Sequence, residues 1–133
     1  MIKLFIGSKG SGKTKTLIEL TNAAAESTKG SVVCIEKGDK LKHEITYKAR
    51  LIDTDYYKLA DAGSLYGFVA GILASNSDIT DIFVDSALKI CGDDVCAFSA
   101  MLPKVEAIAN GVNIVMTVSI AVDDCPDSIK AYV

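Results

Sequence analysis

The sequence lacks the features that mark several classes of protein. Its Lys and Arg residues number 14 against 17 Asp and Glu, so the formal net charge is −3 and positive charge is not in excess. Bulk electrostatic attraction to nucleic acid is therefore disfavoured, although a local basic face stays open. The longest strongly apolar stretch, residues 65–74, contains two glycines and is shorter than the ~20 residues that a membrane span needs. We expect neither a membrane protein nor a nucleic-acid-binding one.

Signals for secretion and for metal binding are also scarce. Met1 to Lys3 lead directly into a predicted strand, so the amino terminus does not resemble a signal peptide and we expect a cytoplasmic protein. The chain has four cysteines and one histidine, and no cysteine pair has the two-residue gap of a zinc knuckle. We therefore predict buried free thiols rather than disulfides or a metal site, at Cys34, Cys91, Cys96 and Cys125.

What the sequence does have is a regular alternation of two hydrophobic periods. With 133 residues, half of them hydrophobic, the chain is expected to form a single domain over residues 1–133. Short runs rich in β-branched residues predict strands over Ile2–Ile6, Ser31–Glu36, Ala49–Ile52, Ile79–Asp85 and Val112–Val122. Helical spacing predicts helices over Lys13–Ser27, Ser64–Ala74 and Asp94–Ala109, with one further turn after Pro126.

This alternation predicts an α/β fold of the three-layer α/β/α sandwich type, with a mainly parallel sheet and helices on both faces. Two details carry separate expectations. Pro103 is expected to kink or split the last long helix. Gly67 and Gly71 are interpreted as allowing close contact between the middle helix and the sheet rather than as a membrane dimerisation motif.

One short stretch, FIGSKGSGKT, points to a ligand. Gly7, Gly12, Lys13 and Thr14 match the pattern G-x-x-x-x-G-K-[ST], directly after a predicted strand and at the start of a predicted helix. Glycines let successive backbone amides surround a phosphate, and the helix adds the positive end of its dipole. The predicted phosphate-binding residues are Gly7, Ser8, Lys9, Gly10, Ser11, Gly12, Lys13, Thr14 and Lys15.

The pattern also assigns individual roles within this loop. Lys13 is expected to reach the β- and γ-phosphates of a nucleotide and so to take part in catalysis, and the Thr14 hydroxyl is expected to bind Mg²⁺. Asp85, at the end of the apolar strand in DIFVDS, is predicted to hold the Mg²⁺ through water, opposite Thr14. Lys9 either contacts phosphate or is solvated.

A group that activates the attacking water is less easily found. Many P-loop ATPases place a glutamate directly after the metal aspartate, but this chain has Ser86 there. Glu36, at the end of the strand after the phosphate-loop helix, is the preferred candidate for the catalytic base. The pair Asp53 and Asp55 is the alternative.

Together these residues resemble the core of the RecA/KaiC-type ATPases, a branch of the P-loop NTPases. Gly7 to Thr14, Glu36 and Asp85-Ser86 match that pattern, and the resemblance in element order covers about the first 120 residues. It implies ATP and Mg²⁺ as ligands, with Glu36 acting on water. RecA-type proteins commonly carry a polar sensor after the metal strand, and here Thr117 and Ser119 occupy that region.

The resemblance is weaker at the base-binding position. RecA-type proteins stack adenine on an aromatic residue past the glutamate, and only His43 or Tyr47 is available here. His43 lies among lysines and is interpreted as a surface residue. Tyr56 and Tyr57 could flank a base, but packing against the sheet is favoured for both. No guanine-reading Asn/Thr-Lys-x-Asp pattern occurs, so ATP is the default nucleotide.

Three further stretches, CIEKGDKL, RLIDTD and YGFVAGILA, resemble a group of short bacterial single-domain P-loop proteins of unestablished function. Some of these are loosely labelled as pilus-motility ATPases. This resemblance implies a complete small protein with the same nucleotide loop. It does not imply a pilus motor, because such motors have an extra domain.

The sequence thus predicts an ATP- and Mg²⁺-binding protein with weak or partner-dependent ATPase activity. Fast hydrolysis usually needs a second cation such as an arginine finger, worth ~10³ to 10⁵ in rate, and the only arginine is Arg50. Either Arg50 supplies that cation, within one subunit or across a homo-oligomer, or a protein partner supplies it, or hydrolysis stays weak. The alternatives are a nucleotide-dependent switch that does not hydrolyse, and a thymidine-kinase-like phosphotransferase, although the chain lacks the paired-cysteine zinc site and the Asp-Glu base of those kinases.

Overall fold

The fold is described from a computed structural model that covers all residues from 1 to 133. Five strands and five α-helices alternate along much of the chain. In chain order they are β1 (Ile2–Gly7), α1 (Lys13–Ser27), β2 (Ser31–Glu36), β3 (Ala49–Asp53), α2 (Ala62–Ser75), β4 (Ile79–Val84), α3 (Ala87–Ile90), α4 (Val95–Ala109), β5 (Asn113–Ser119) and α5 (Asp127–Lys130).

All five strands form one parallel sheet in the order β1-β5-β4-β2-β3. The predicted α/β class and the parallel sheet are therefore confirmed. In the register of this sheet Gly7 lies opposite Ser119, and Glu36 lies opposite Asp53. The carboxyl ends of the strands consequently meet at one edge, which is where ligands bind in sheets of this kind.

The two faces of the sheet are covered by different helices. Alternate residues of β2 show this, because Val32 and Cys34 pack with Leu17 of α1, whereas Val33 and Ile35 belong to the larger apolar cluster that includes α2, α4 and α5. This period of two is the strand pattern that the sequence predicts. Helices on both faces are consistent with a three-layer arrangement.

The structure corrects several expectations about the elements. The last strand ends at Ser119 instead of Val122, because the chain turns there and Ile120 forms an antiparallel bridge with Gly7. The residues Val122–Asp124 then form a 3₁₀ turn. The short helix α3 was not predicted.

Pro103 does not split α4, which runs uninterrupted from Val95 to Ala109. A proline inside a helix costs ~3 kcal/mol because one backbone bond is lost. The buried side chains on either side of it, Phe98, Leu102 and Val105, offset that cost by packing into the larger apolar cluster.

The interpretation of the two helical glycines is wrong. Gly67 and Gly71 are exposed, and a Cβ atom at either position would have no neighbour within 4 Å. Neither glycine is therefore needed for close packing against the sheet.

All four cysteines are free, and three of them are buried as predicted. Burial raises the pKa of the Cys34 and Cys91 thiols to about 12. Cys96 departs from the prediction, because it lies on the exposed side of α4. No group of three or more His, Cys, Asp or Glu side chains is arranged to hold a metal ion. None of the helices combines the length and the hydrophobicity needed to cross a membrane.

Candidate nucleotide-binding site

The loop between β1 and α1 has the backbone geometry that its glycines suggested. Gly12, at the amino terminus of α1, has a φ of 88°, a left-handed conformation that glycine adopts without strain. Gly7 has a φ of 155°, a conformation that residues with a side chain rarely adopt, so this position also favours glycine. The loop is curled rather than extended, and the Ser11 amide donates to the Ser8 carbonyl across 3.2 Å.

The first turn of α1 keeps unpaired backbone donors. No side chain caps this helix, and its first ladder bond is donated by the Thr16 amide to the Gly12 carbonyl. The amides of residues 13–15 are therefore left without helical partners, as the geometry of a helix start requires. Unpaired amides at the positive end of a 15-residue helix favour an anion.

Lys13 folds back over its own loop. Its Nζ donates to the Ser8 carbonyl across 2.9 Å and to the Ser11 Oγ across 3.2 Å. Partial burial lowers the pKa of the Lys13 ammonium, and the nearby Asp85 carboxylate opposes this change. The ammonium group is thus held at the glycine-rich loop by two neutral acceptors, which an anion could replace.

Thr14 and Asp85 meet where α1 begins and β4 ends. The Thr14 hydroxyl donates to the Asp85 Oδ1 across 3.1 Å, and the buried Thr117 hydroxyl donates to the same oxygen across 2.8 Å. The Ser86 amide in turn donates to the Thr117 Oγ1 across 2.8 Å. The remaining carboxylate oxygen of Asp85 has only a long 3.5 Å contact, with the Ser86 hydroxyl.

These oxygens suit Mg²⁺. This cation prefers hard oxygen ligands, and it is usually bound through one or two protein groups together with phosphates and several waters. Thr14 and Asp85 would be its protein ligands, and the ion would neutralise charge on a bound phosphate group. The site thus brings together the two residues that the sequence assigned to the metal.

A cleft of about 690 Å³ opens beside this loop at the carboxyl edge of the sheet. Its lining is polar, and Leu41 is the only hydrophobic residue in it. The lining residues are Lys9, Gly10, Gly12, Lys13, Thr14, Lys15, Glu36, Lys37, Gly38, Lys40, Leu41, Asp55, Asp85, Ser86, Lys89, Thr117 and Ser119. Gly7, Ser8 and Ser11 of the predicted set do not line the cleft.

Glu36 lines the cleft and also holds the turn that follows β2. Only 2% of this residue is exposed, and its two carboxylate oxygens accept the amides of Lys40 and Leu41, each across 3.1 Å. Burial raises the pKa of the Glu36 carboxyl, while the two amide bonds lower it. Each carboxylate oxygen of Glu36 therefore already accepts one hydrogen bond from the backbone.

The alternative acidic pair, Asp53 and Asp55, has structural partners. The Asp53 Oδ1 accepts the amides of Gly38 and Asp55, each across 2.8 Å. The Asp55 carboxylate forms an ion pair with Lys37 across 2.7 Å at the side of the cleft. Asp53 thus stabilises two neighbouring turns, and only Asp55 reaches the cleft.

Several other candidates lie outside the cleft. Arg50 is exposed on β3, three residues before the strand ends at Asp53, which places it ~10 Å from the carboxyl edge. His43 is exposed, as predicted, and Tyr47 is 91% exposed, so neither aromatic side chain lines the site. Tyr56 is 74% exposed, and Tyr57 packs on Phe68 of α2 instead of the sheet.

Sequence reasoning missed Lys89, which reaches the cleft from α3. It lies four residues after Asp85, on the helix that begins where Ser86 adopts a left-handed φ of 59°. The signal that could have found it is a lysine about one helical turn beyond the end of β4. Two lysines of the segment after β2, Lys37 and Lys40, also line the cleft.

Comparison with known proteins adds no relative to this description, because no protein-family profile and no curated protein matches the chain.

Proposed function

We propose that this chain is a P-loop protein with a three-layer, RecA-like core that binds ATP and Mg²⁺, and that its ATPase activity is weak or depends on a partner. The observation that carries the proposal is the meeting of Thr14 and Asp85, which are separated by 71 residues and lie 3.1 Å apart. They lie beside the unpaired amides of α1, in a cleft of nucleotide size. We also propose a cytoplasmic location, where ATP is abundant.

Each loop residue has a distinct part in this proposal. The free amides at residues 13–15 bind phosphate oxygens, and Lys13 exchanges its bonds to Ser8 and Ser11 for bonds to the β- and γ-phosphates. Thr14 and Asp85 hold Mg²⁺, which supplies charge neutralisation on the transferring phosphoryl group. Thr117 fixes the orientation of the Asp85 carboxylate through its 2.8 Å hydrogen bond.

Hydrolysis makes further demands, and Glu36 remains our candidate for the group that acts on water. Its raised pKa favours proton acceptance, because a base works best when its pKa approaches the working pH. An arginine is the missing part, because Arg50 does not line the cleft and the cations that do are all lysines. We therefore propose that an arginine from a second copy or a partner protein is needed for fast turnover.

One observation favours the alternative of a switch that binds nucleotide without hydrolysing it. Both carboxylate oxygens of Glu36 already accept backbone amides, so this residue also has the environment of a purely structural group. In a switch, a bound nucleotide would act on the turn that Glu36 holds. No observation in the cleft favours the kinase alternative.

Calorimetric titration with ATP and ADP, with and without Mg²⁺, tests the proposal. We expect saturable binding of Mg-ATP that Lys13→Ala reduces by about tenfold or more, since a charge-assisted contact is lost. Lys104→Ala, which removes an exposed lysine of α4, is the matched control and should bind like the wild type. Undiminished binding by Lys13→Ala would refute the phosphate-loop assignment.

Analysis of the reaction products then separates the alternatives. ADP with free phosphate identifies an ATPase, and a phosphorylated nucleoside identifies a kinase. Saturable binding without either product identifies the switch.

A further inference from the structure

We infer that this cleft selects its ligand by the triphosphate group and not by the base, so that ATP, GTP and inorganic tripolyphosphate bind alike. The inference rests on the proposed function and concerns what the same site recognises. Three observations support it: the kinds of residue that line the cleft, the hydrogen bonds and ion pairs of its charged groups, and the different elements that carry its lysines.

The residues that line the cleft provide almost no apolar or aromatic surface for a nucleotide base. Nucleotide bases are usually held by apolar or aromatic surfaces, which contact the base face and exclude water from it. Only one of the 17 lining residues, Leu41, is hydrophobic, and none is aromatic. Two aromatic candidates for stacking on a base, Tyr47 and Tyr56, are largely exposed and do not line the cleft.

Positively charged side chains outnumber negatively charged ones in the cleft. Six lysines line it against three carboxylates, although the whole chain carries a net charge of −3. The carboxylates of Glu36 and Asp85 already accept hydrogen bonds, and that of Asp55 is paired with Lys37. Five of the lysines have no carboxylate within 4.0 Å, namely Lys9, Lys13, Lys15, Lys40 and Lys89.

These lysines come from separate parts of the fold and so face the cleft from several sides. Lys9 lies in the loop between β1 and α1, Lys13 and Lys15 lie in the first turn of α1, Lys40 lies in the turn after β2, and Lys89 lies on α3. The turn that carries Lys40 is anchored, because Asn22 of α1 bonds the Glu44 carbonyl and the Thr46 amide, each across 2.9 Å. Positive charge that surrounds a site is suited to an anion with many charges, and the triphosphate is that part of a nucleotide.

Titration with four compounds tests the inference in the presence of Mg²⁺: ATP, GTP, inorganic tripolyphosphate and adenosine. We expect the Kd values of the three triphosphates to agree within about tenfold, and adenosine not to bind. All three affinities should fall together as salt is raised, because the contacts are ionic.

A pair of double variants locates the effect. Lys40→Ala with Lys89→Ala should weaken all three triphosphates by a common factor of about tenfold or more. Lys29→Ala with Lys104→Ala removes two exposed lysines outside the cleft and should leave the three Kd values unchanged. Both double variants should keep the wild-type circular dichroism spectrum, since all four side chains are exposed.

Two kinds of failure are distinguishable. If ATP binds about a hundredfold more tightly than tripolyphosphate or GTP, or if adenosine binds, the base is recognised, and this inference is overturned while the proposed function stands. If the two double variants behave alike, the role of Lys40 and Lys89 is overturned. If no triphosphate binds the wild type, the proposed function itself fails.

Discussion

The Thr14 hydroxyl donates a hydrogen bond to the Asp85 Oδ1 across 3.1 Å, which links the first turn of α1 to the end of β4. β1, the strand before the phosphate loop, is separated from β4 by β5. The contact is therefore made across an intervening strand, and Thr117 of that strand donates to the same carboxylate oxygen. Three elements thus position one oxygen atom at the candidate metal site.

The first prediction concerns Mg²⁺. Thr14→Val and Asp85→Asn should each reduce the gain in ATP affinity that Mg²⁺ produces, and binding without the metal should change much less. The reason is that each variant removes one hard oxygen ligand or its charge. Calorimetric titration with and without Mg²⁺ measures both quantities.

The control for this prediction is Thr16→Val, because Thr16 follows Lys15 on α1 and does not line the cleft. The Thr16 hydroxyl bonds only the Gly12 carbonyl, across 3.2 Å. If Thr16→Val lowers the Mg²⁺ effect as much as Thr14→Val does, the loss reflects a disturbed helix and not a lost ligand.

The second prediction concerns the stability supplied by Thr117. Its buried hydroxyl donates to Asp85 and accepts the Ser86 amide, each across 2.8 Å. Thr117→Val should lower the free energy of unfolding by about 1–3 kcal/mol, because a buried carboxylate and an amide each lose a partner. Urea unfolding measures this, with Ser119→Ala at the exposed end of the same strand as control. Equal effects of the two variants would contradict the prediction.

The third prediction concerns the pH dependence that Glu36 produces. Burial raises the pKa of its carboxyl above the ordinary value of 4.5. Between that value and the raised pKa, the folded state binds more protons than the unfolded state, so the contribution of Glu36 to stability falls as pH rises through this window. The variant Glu36→Gln has no titrating group at this position, so its stability lacks this pH-dependent contribution.

Urea unfolding of the wild type and Glu36→Gln over a series of pH values checks the sign. We expect the stability of the wild type relative to the variant to decrease as the pH rises from about 4.5 toward neutrality. A relative stability that increases with pH would mean that the amide bonds from Lys40 and Leu41 outweigh the cost of burial.

The fourth prediction separates glycines that the fold needs from those that it does not. Gly67→Ala should raise the free energy of unfolding by about 0.5–1 kcal/mol, since alanine restricts the unfolded chain and favours helix, and no atom lies within 4 Å of the new Cβ. Gly12→Ala should lower it by about 1–2 kcal/mol, because Gly12 has a φ of 88°. Thermal or urea unfolding compares the two variants, and a destabilising Gly67→Ala would show that α2 depends on this glycine.

Much of the fold was predictable because its signals are local. The bounds of α1 (Lys13–Ser27) and β2 (Ser31–Glu36) agree with those predicted, since hydrophobic period and breaker residues lie within a few positions of each element. The short helix α3 gave no comparable signal, because four residues are too few to display a helical period. The split that Pro103 suggested is absent for the opposite reason, since tertiary packing offset a strong local signal.

By itself the sequence determined most of the strand and helix alternation and the curled glycine-rich loop after β1, and it led to the proposal of Thr14 and Asp85 as metal-binding residues. Only the tertiary structure decided that Lys40 and Lys89 line the cleft, that Arg50 does not, and that Glu36 bonds the backbone of its own turn. The physical reason is that backbone conformation responds to neighbours along the chain, whereas strand order brings together residues whose separation in sequence carries no periodic signal. Which charges share a cleft is therefore a property of the packed sheet.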